Sequence, residues 1–197
     1  MGAEQRFFSS IHTERLLIRQ LEFSDAEAFW CYKKMPDAVR FQTWRPTSLY
    51  EVEQFIQKMR DVAPCTPDGW LQVAVCLKDS GTMIGDIGLH FLADPAQMEI
   101  GYTISPNHQR KGYGTEAVRA ILGYLFDTLE KHRVTASLDP RNAPSAAVLE
   151  KLGFRKEAQF RKSYFMDGEW CDDWVYAMLR EEWQDSHTVL TARSREE

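Results

Sequence analysis

Between a strand-like run and a helix-like run, the chain places Gln109-Arg110-Lys111-Gly112-Tyr113-Gly114, followed by Thr115. Two glycines and two cations at such a junction suit the holding of an anion. A helix N-terminus carries unpaired N–H groups and partial positive charge. Glycines let the backbone approach a ligand closely and take φ > 0, and Arg110 and Lys111 add charge at the same mouth. The pattern fits a pyrophosphate cradle. It is not the triphosphate loop G-x-x-x-x-G-K-[ST], because Lys111 precedes Gly112. Nor is it the dinucleotide fingerprint, whose third glycine would fall at Ala117. A glycine-rich turn with two solvated cations is the competing reading.

The loop needs elements to aim it, and the apolar spacing supplies them. Strand patterns run over 14–21, 70–78, 82–92, 98–105, 133–139, 156–166 and 172–179. Asp79-Ser80-Gly81 and Asp167-Gly168 carry hairpin signals between strand pairs. Helices are expected over 26–35, capped by Ser24-Asp25 and ended by Met35-Pro36. Another is expected over 47–62, opened by Ser48 with Glu51 three residues on. A third covers 115–132 with a Val118, Ile121, Leu122, Leu125, Phe126, Leu129 stripe. A fourth covers 142–154, stopped by Gly153. Pro64, Pro67 and Gly69 break the chain between the second helix and the second strand, and the polar tail after Trp183 is expected to fray. The order β-α-α-β-β-β-α-β-α-β-β predicts one mixed α/β sheet with helices packed against it.

A chain of 197 residues with 44% hydrophobic and 27% charged residues reads as one domain, 1–197, with its core over about 13–183. A net charge of −5 argues against a nucleic-acid partner. No apolar run approaches the roughly 18 residues of a membrane helix, and MGAEQRFFSS has no signal-peptide core. Residue 6, where a myristoylation start wants Ser or Thr, is Arg6. Cys31, Cys65, Cys76 and Cys171 form no C-x-x-C pair, and no His/Cys/carboxylate cluster has metal spacing. No metal is therefore expected, and a reducing, cytoplasmic setting fits the isolated thiols.

The loop together with its surroundings resembles the GNAT superfamily of acyl-CoA-dependent N-acetyltransferases. Gln109, Gly112 and Gly114 match its Q/R-x-x-G-x-G/A signature; MEIGYTISP resembles the strand before it, and NAPSAAVLEKLGF the helix of its second motif, headed by Asn142. TERLLIRQLEFSDAEAFW and the run from Asp167 to Trp183 resemble the branch containing ribosomal-protein-alanine N-acetyltransferases. The resemblance spans about Thr13 to Trp183. It implies a single GNAT-type α/β (α+β) domain with a central mixed, mostly antiparallel, splayed sheet and helices on both faces. It implies acetyl-CoA as the acyl donor. Its pyrophosphate would lie on the backbone of Arg110, Lys111, Gly112, Tyr113, Gly114 and Thr115, beside Gln109. Its pantetheine arm would lie along Tyr102, Thr103 and Ile104, with Asn142 and Ser145 in contact. A backbone N–H of the splayed strand can polarise the thioester carbonyl.

Amine attack needs a neutral amine. A lysine acceptor, pKa about 10.4, is harder to deprotonate at pH 7 than an α-amine near 7.8, by about 3.5 kcal/mol, so a positioned base matters more for lysine. Glu99 stands near where GNAT enzymes often carry a catalytic glutamate; the competing reading is a solvated strand charge. The family's usual tyrosine acid, near the end of the second-motif helix, is Leu149 here, a departure that removes it. Ser145 is the candidate acid in its place, or a hydroxyl that only contacts the CoA arm. His90 is read as acceptor-pocket lining or as a structural histidine. The segment between the first two helices lines the acceptor cleft in this superfamily, which assigns Phe41 and Trp44 as apolar walls and Arg45 as a polar anchor.

The reading is direct acetyl transfer to a primary amine, either a protein N-terminus or a small molecule. A non-catalytic acyl-CoA-binding sensor or interaction module is the alternative. Superfamily members are often dimers, so a homodimer is open; the sequence locates no interface.

Overall fold

The structure, a computed structural model, describes residue 8 and residues 10–61 and 66–193, with side chains described through Ser186. Val62, Pro64, Cys65 and most of the opening MGAEQRFFSS lie outside the described residues.

Eight strands form one sheet: β1 (Ile11–His12), β2 (Leu16–Gln20), β3 (Gly69–Leu77), β4 (Met83–Phe91), β5 (Gln97–Ile104), β6 (Arg133–Leu138), β7 (Arg155–Met166) and β8 (Glu169–Leu179). Their order is β1-β2-β3-β4-β5-β6-β8-β7, and every adjacent pair is antiparallel except β5–β6. The parallel pair is short. Gln97, Met98 and Glu99 match Arg133, Val134 and Thr135, and pairing then stops. Beyond Glu99, β5 stays with β4 out to Ile104, while β6 stays with β8 out to Leu138. The sheet therefore splits into a wedge in the middle of the molecule.

Period-2 burial along the strands gives the sheet two apolar faces. On one, Leu71, Val73, Ile87, Leu89, Met98 and Ile100 pack under α4 (Tyr113–Gly123) and α5 (Ala143–Lys151). On the other, Ala74 and Cys76 pack under α1 (Ala26–Lys33) and α3 (Leu49–Asp61), with Phe29, Val52, Ile56 and Met59 facing them. Both faces are covered by helices, as the resemblance implied.

Local chemistry departs from the sequence reading in four places. Asp25 does not cap α1. Its carboxylate accepts from the Glu22 N–H at 2.8 Å and pairs with Arg19 at 2.7 and 2.8 Å, so the turn before the helix is tied to β2 instead. Pro36 opens a short helix, α2 (Pro36–Val39), where its fixed φ suits the first helical position. The helix expected to reach 132 changes to π-type winding over Tyr124–Thr128 and stops, with Leu129 N–H bonding to Tyr124 O at 2.9 Å. Past Trp183, where fraying is expected, the backbone helix α6 continues over Arg180–Arg193, opened by the Glu182 carboxylate on the Leu179 N–H at 2.7 Å. The Ser48 cap forms as read, accepting from Glu51 N–H at 3.2 Å. Glu51 itself reaches one residue further back, to the Thr47 N–H and hydroxyl.

A buried polar knot joins α1 to the sheet beside the wedge. Asp86 on β4 accepts from Tyr32 Oη at 2.6 Å, from Lys33 Nζ at 3.1 Å and from the Gln72 amide. Lys33 Nζ also reaches Thr103 Oγ1 on β5 at 3.3 Å. Both charges are about 3% exposed. Removing one partner strands the other in a dry interior. Asp86→Leu is expected to cost about 3–5 kcal/mol in urea unfolding, and Lys33→Met added to it should recover much of that loss. Additive losses in the double variant would contradict the pairing.

Candidate active site

The anion loop follows directly from the end of β5. Ser105 leads into a 3-10 turn over Pro106–His108, and Gln109 Nε2 donates to Ile104 O at 2.9 Å, fixing the loop's exit. Arg110 (φ 60°) and Gly112 (φ 83°) both take left-handed backbone. Gly112 is the N-cap of α4 and offers no side chain to its N–H groups, which stay free for a ligand. A strand reading of 14–21 gave no hint of the loop's third cation, Arg15. Glu116, in the first turn of α4, accepts from Arg15 Nε at 2.7 Å and from its backbone N–H at 3.0 Å, while Arg15 Nη1 donates to Lys111 O at 3.0 Å. The guanidinium lies 4.5 Å from the Tyr113 ring centre. A Cβ at Gly112 would meet Arg15 Nη2 at 3.3 Å, so glycine lets the cation sit on the loop.

The wedge itself is a cleft of about 60 Å³. Ile100, Gly101 and Tyr102 line one side and Ala136–Leu138 the other, with Asn142, Ser145 and Leu149 of α5 behind and Phe41 and Gln42 in front. Asn142 caps α5, accepting from Ser145 N–H at 3.4 Å. Ser145 Oγ donates to Tyr102 Oη at 2.8 Å, and Tyr102 Oη donates to Ser145 O at 2.9 Å. Burial pushes the Tyr102 phenol up to about 12, against the Ser145 hydrogen bond that draws it down. Leu149 is fully buried and brings no polar atom.

A second, larger cleft of about 650 Å³ opens on the other face. Its walls include Trp44 stacked on Phe55 at 4.2 Å, Trp70, and the amides of Gln42, Gln54 and Gln72. Its two carboxylates are already engaged, Asp86 with Lys33 and Glu51 with Thr47. The two clefts share Gln42, Gly101 and Tyr102. They meet where Gly101 faces Gly88 across β4–β5, and a Cβ at Gly101 would find nothing within 4 Å.

Glu99 stands beside this junction, at the last paired rung of the wedge. Its Oε2 lies 3.3 Å from His90 Nδ1, His90 Nε2 lies 3.5 Å from Asp68 Oδ1, and Trp70 stacks on the imidazole at 4.5 Å. Across the wedge, Asp173 is a carboxylate that sequence reading passed over. Burial raises its pKa and the nearby Glu99 charge raises it further, against hydrogen bonds at Ser137 and Leu138 that lower it. Trp44 lines the large cleft and Phe41 the wedge. Arg45 turns away to clasp Asp167, at the β7–β8 turn, through two bonds of 2.8 and 2.9 Å.

Residues 15–155 match the family model described as an acetyltransferase (GNAT) domain. The chain is 35% identical over 173 residues to YnaD of Bacillus subtilis (strain 168), described as an uncharacterized N-acetyltransferase, covering 88% of this chain and 98% of that one. It is 27% identical over 194 residues to the [ribosomal protein uS5]-alanine N-acetyltransferase of Escherichia coli (strain K12), covering 87% and 91%. Among solved structures, an acetyltransferase (GNAT family) from Bacillus anthracis superposes with a TM-score of 0.80 at 32% identity, covering 88% of this chain and 99% of that one.

Two outcomes follow from the geometry. Gly101→Ala adds a methyl into open space on unstrained backbone, so thermal stability should hold while any reaction at the junction slows about 10–100-fold; an unchanged rate would remove the junction from the chemistry. Asp173 is protonated more readily folded than unfolded. It therefore costs stability as pH rises from about 3.9 through its raised folded value, and the cost persists above it. Asp173→Asn should raise the melting temperature at pH 7 and leave it unmoved near pH 3; destabilisation at pH 7 would contradict the buried-carboxyl account.

Proposed function

We propose, from the premise that the chain belongs to the GNAT acetyltransferase family, that it transfers the acetyl group of acetyl-CoA directly to a primary amine entering through the large cleft. The observation that carries this reading is the meeting of two separate clefts at Gly101 and Tyr102. One cleft leads back along β5 to a loop built for an anion; the other is walled by aromatic rings and amides suited to an acceptor.

The residues present fit the donor. Along Ile100–Ile104 the edge of β5 that faces β6 has no strand partner, so its backbone groups, apart from the Ile104 carbonyl held by Gln109, are free to pair with the amides of an extended arm. Arg15, Arg110 and Lys111 surround the free N–H groups of α4, where a pyrophosphate is held. When bound, acetyl-CoA supplies an activated thioester. The protein's part is to orient it and manage protons.

Glu99 takes the proton from the incoming ammonium, directly or through one water, and His90 fixes the orientation of its carboxylate. A backbone N–H of the splayed strand polarises the carbonyl. Ser145, in the wedge wall on α5, would contact the donor's arm. The acceptor is a protein N-terminus or a small-molecule amine. Asp86 is neutralised by Lys33, and the aromatic rings and amides of the cleft wall suit an acceptor whose body is apolar or amide-bearing, with its cationic end at the junction.

Thiol release from acetyl-CoA across a panel of peptide N-termini and small amines tests this. Native protein should respond to particular amines. Glu99→Gln should lower kcat about 10²–10³-fold at pH 7, with the gap narrowing towards pH 9 as the amine loses its proton unaided. Amine-dependent turnover that Glu99→Gln leaves intact would remove Glu99 as the base.

A further inference from the structure

Acetyl transfer leaves a thiolate behind, and a charge growing on sulfur inside a narrow cleft needs a donor aimed at it. The described wall of the wedge offers few. Leu149 contributes only methyls. The Ser137 hydroxyl is engaged with Asp173 on the adjoining strand β8, the Asn142 carbonyl is spent on capping α5, and the amide N–H groups of Asn142 and Gln42 can hydrogen-bond but have no acidic proton to give up. What remains is the Tyr102–Ser145 pair, which bridges from β5 to α5 across the wedge. Its geometry is directional. Ser145 gives its only proton to the phenol oxygen, so its own hydroxyl is not free to donate elsewhere. Tyr102 rests its proton on Ser145 O, a carbonyl inside α5 whose regular partner is the helix N–H four residues on. That proton can swing to another acceptor without orphaning the carbonyl.

We infer that Tyr102 is the proton donor to the departing sulfur, with the Ser145 hydroxyl holding the phenol oxygen as negative charge passes through it. The inference rests on the reading that the thioester lies in the wedge. Attack by the amine nitrogen forms the C–N bond; the C–S bond breaks with its electron pair going to sulfur, and the Tyr102 O–H proton follows it there. The phenolate, stabilised by the Ser145 O–H, regains a proton from water. Starting from the ammonium, nitrogen loses two protons and sulfur gains one, so one is released to solvent. Burial keeps Tyr102 protonated across the working pH range, which keeps the donor loaded. The assignment also gives Ser145 a definite part, as support to the donor.

Tyr102→Phe removes one oxygen and keeps the ring. Three quantities decide the matter in native, Tyr102→Phe and Ser145→Ala protein: kcat, CoA affinity by calorimetry, and ionisation of the bound CoA thiol followed by thiolate absorbance against pH. The expected result for Tyr102→Phe is a fall in kcat of about 100-fold, CoA affinity within about twofold, and a bound thiol that titrates about one pH unit higher because its thiolate has lost a hydrogen bond. Ser145→Ala should show the same signature at about a tenth of the kcat effect. An unmoved thiol titration in Tyr102→Phe overturns the donor assignment, whether kcat holds or falls together with CoA affinity. A native protein that fails to bind CoA overturns the reading beneath it instead.

Discussion

The structure depends on an interruption. Two parallel strands pair for three residues and then part, although each continues to pair with its other neighbour. Backbone N–H and C=O groups inside a protein demand partners, and a strand edge opened in mid-sheet leaves a row of them facing a gap. Everything around the gap is arranged so that a ligand can meet that demand. The N-terminus of α5 lines it through Asn142 and Ser145. β5 runs on past the opening and turns through Pro106–His108 directly into the anion loop. The unpaired edge, the cationic loop and the helix N-terminus thus form one continuous track.

Charge is distributed along that track with purpose. Cations gather at the loop, where Arg15 is locked in place by Glu116. In the large cleft Asp86 is neutralised by Lys33 and held by Tyr32 and Gln72, while the hydrogen bonds from Thr47 keep Glu51 ionised. On either side of the wedge stand Glu99, oriented by His90, and Asp173, held protonated to higher pH by burial and by Glu99 itself.

The sequence made the loop, the strand before it and the cap of α5 legible, because each rests on local rules: glycine φ, an apolar strand stopped by proline, and an Asn-Ala-Pro helix start. It also made the missing tyrosine at Leu149 visible. What it hid is long-range. Arg15 reads as an ordinary strand residue in the sequence; it lies just ahead of β2, where Glu116, 101 positions away, draws it onto the loop. Tyr102 reads as one more aromatic in a strand; its bond to Ser145 exists only because the wedge brings β5 and α5 together. Asp25 looked like a cap because local spacing allowed it, but Arg19 offered a stronger partner. Arg45 was assigned to the acceptor cleft by its segment, and the β7–β8 turn claimed it. The helix beyond Gly123 had the right apolar stripe and still changed winding where Asp127 meets the Trp183 indole N–H at 3.1 Å.

The central claim is that the donor's arm occupies the wedge and that its sulfur faces the junction of the two clefts. A crystal structure with CoA bound tests it most directly. The account predicts the arm paired to the free edge of Ile100–Ile104, the pyrophosphate on the N–H groups at the start of α4, and the sulfur beside Gly101 and the Tyr102 hydroxyl. An arm lying outside the wedge, or a sulfur buried away from the acceptor cleft, would contradict it.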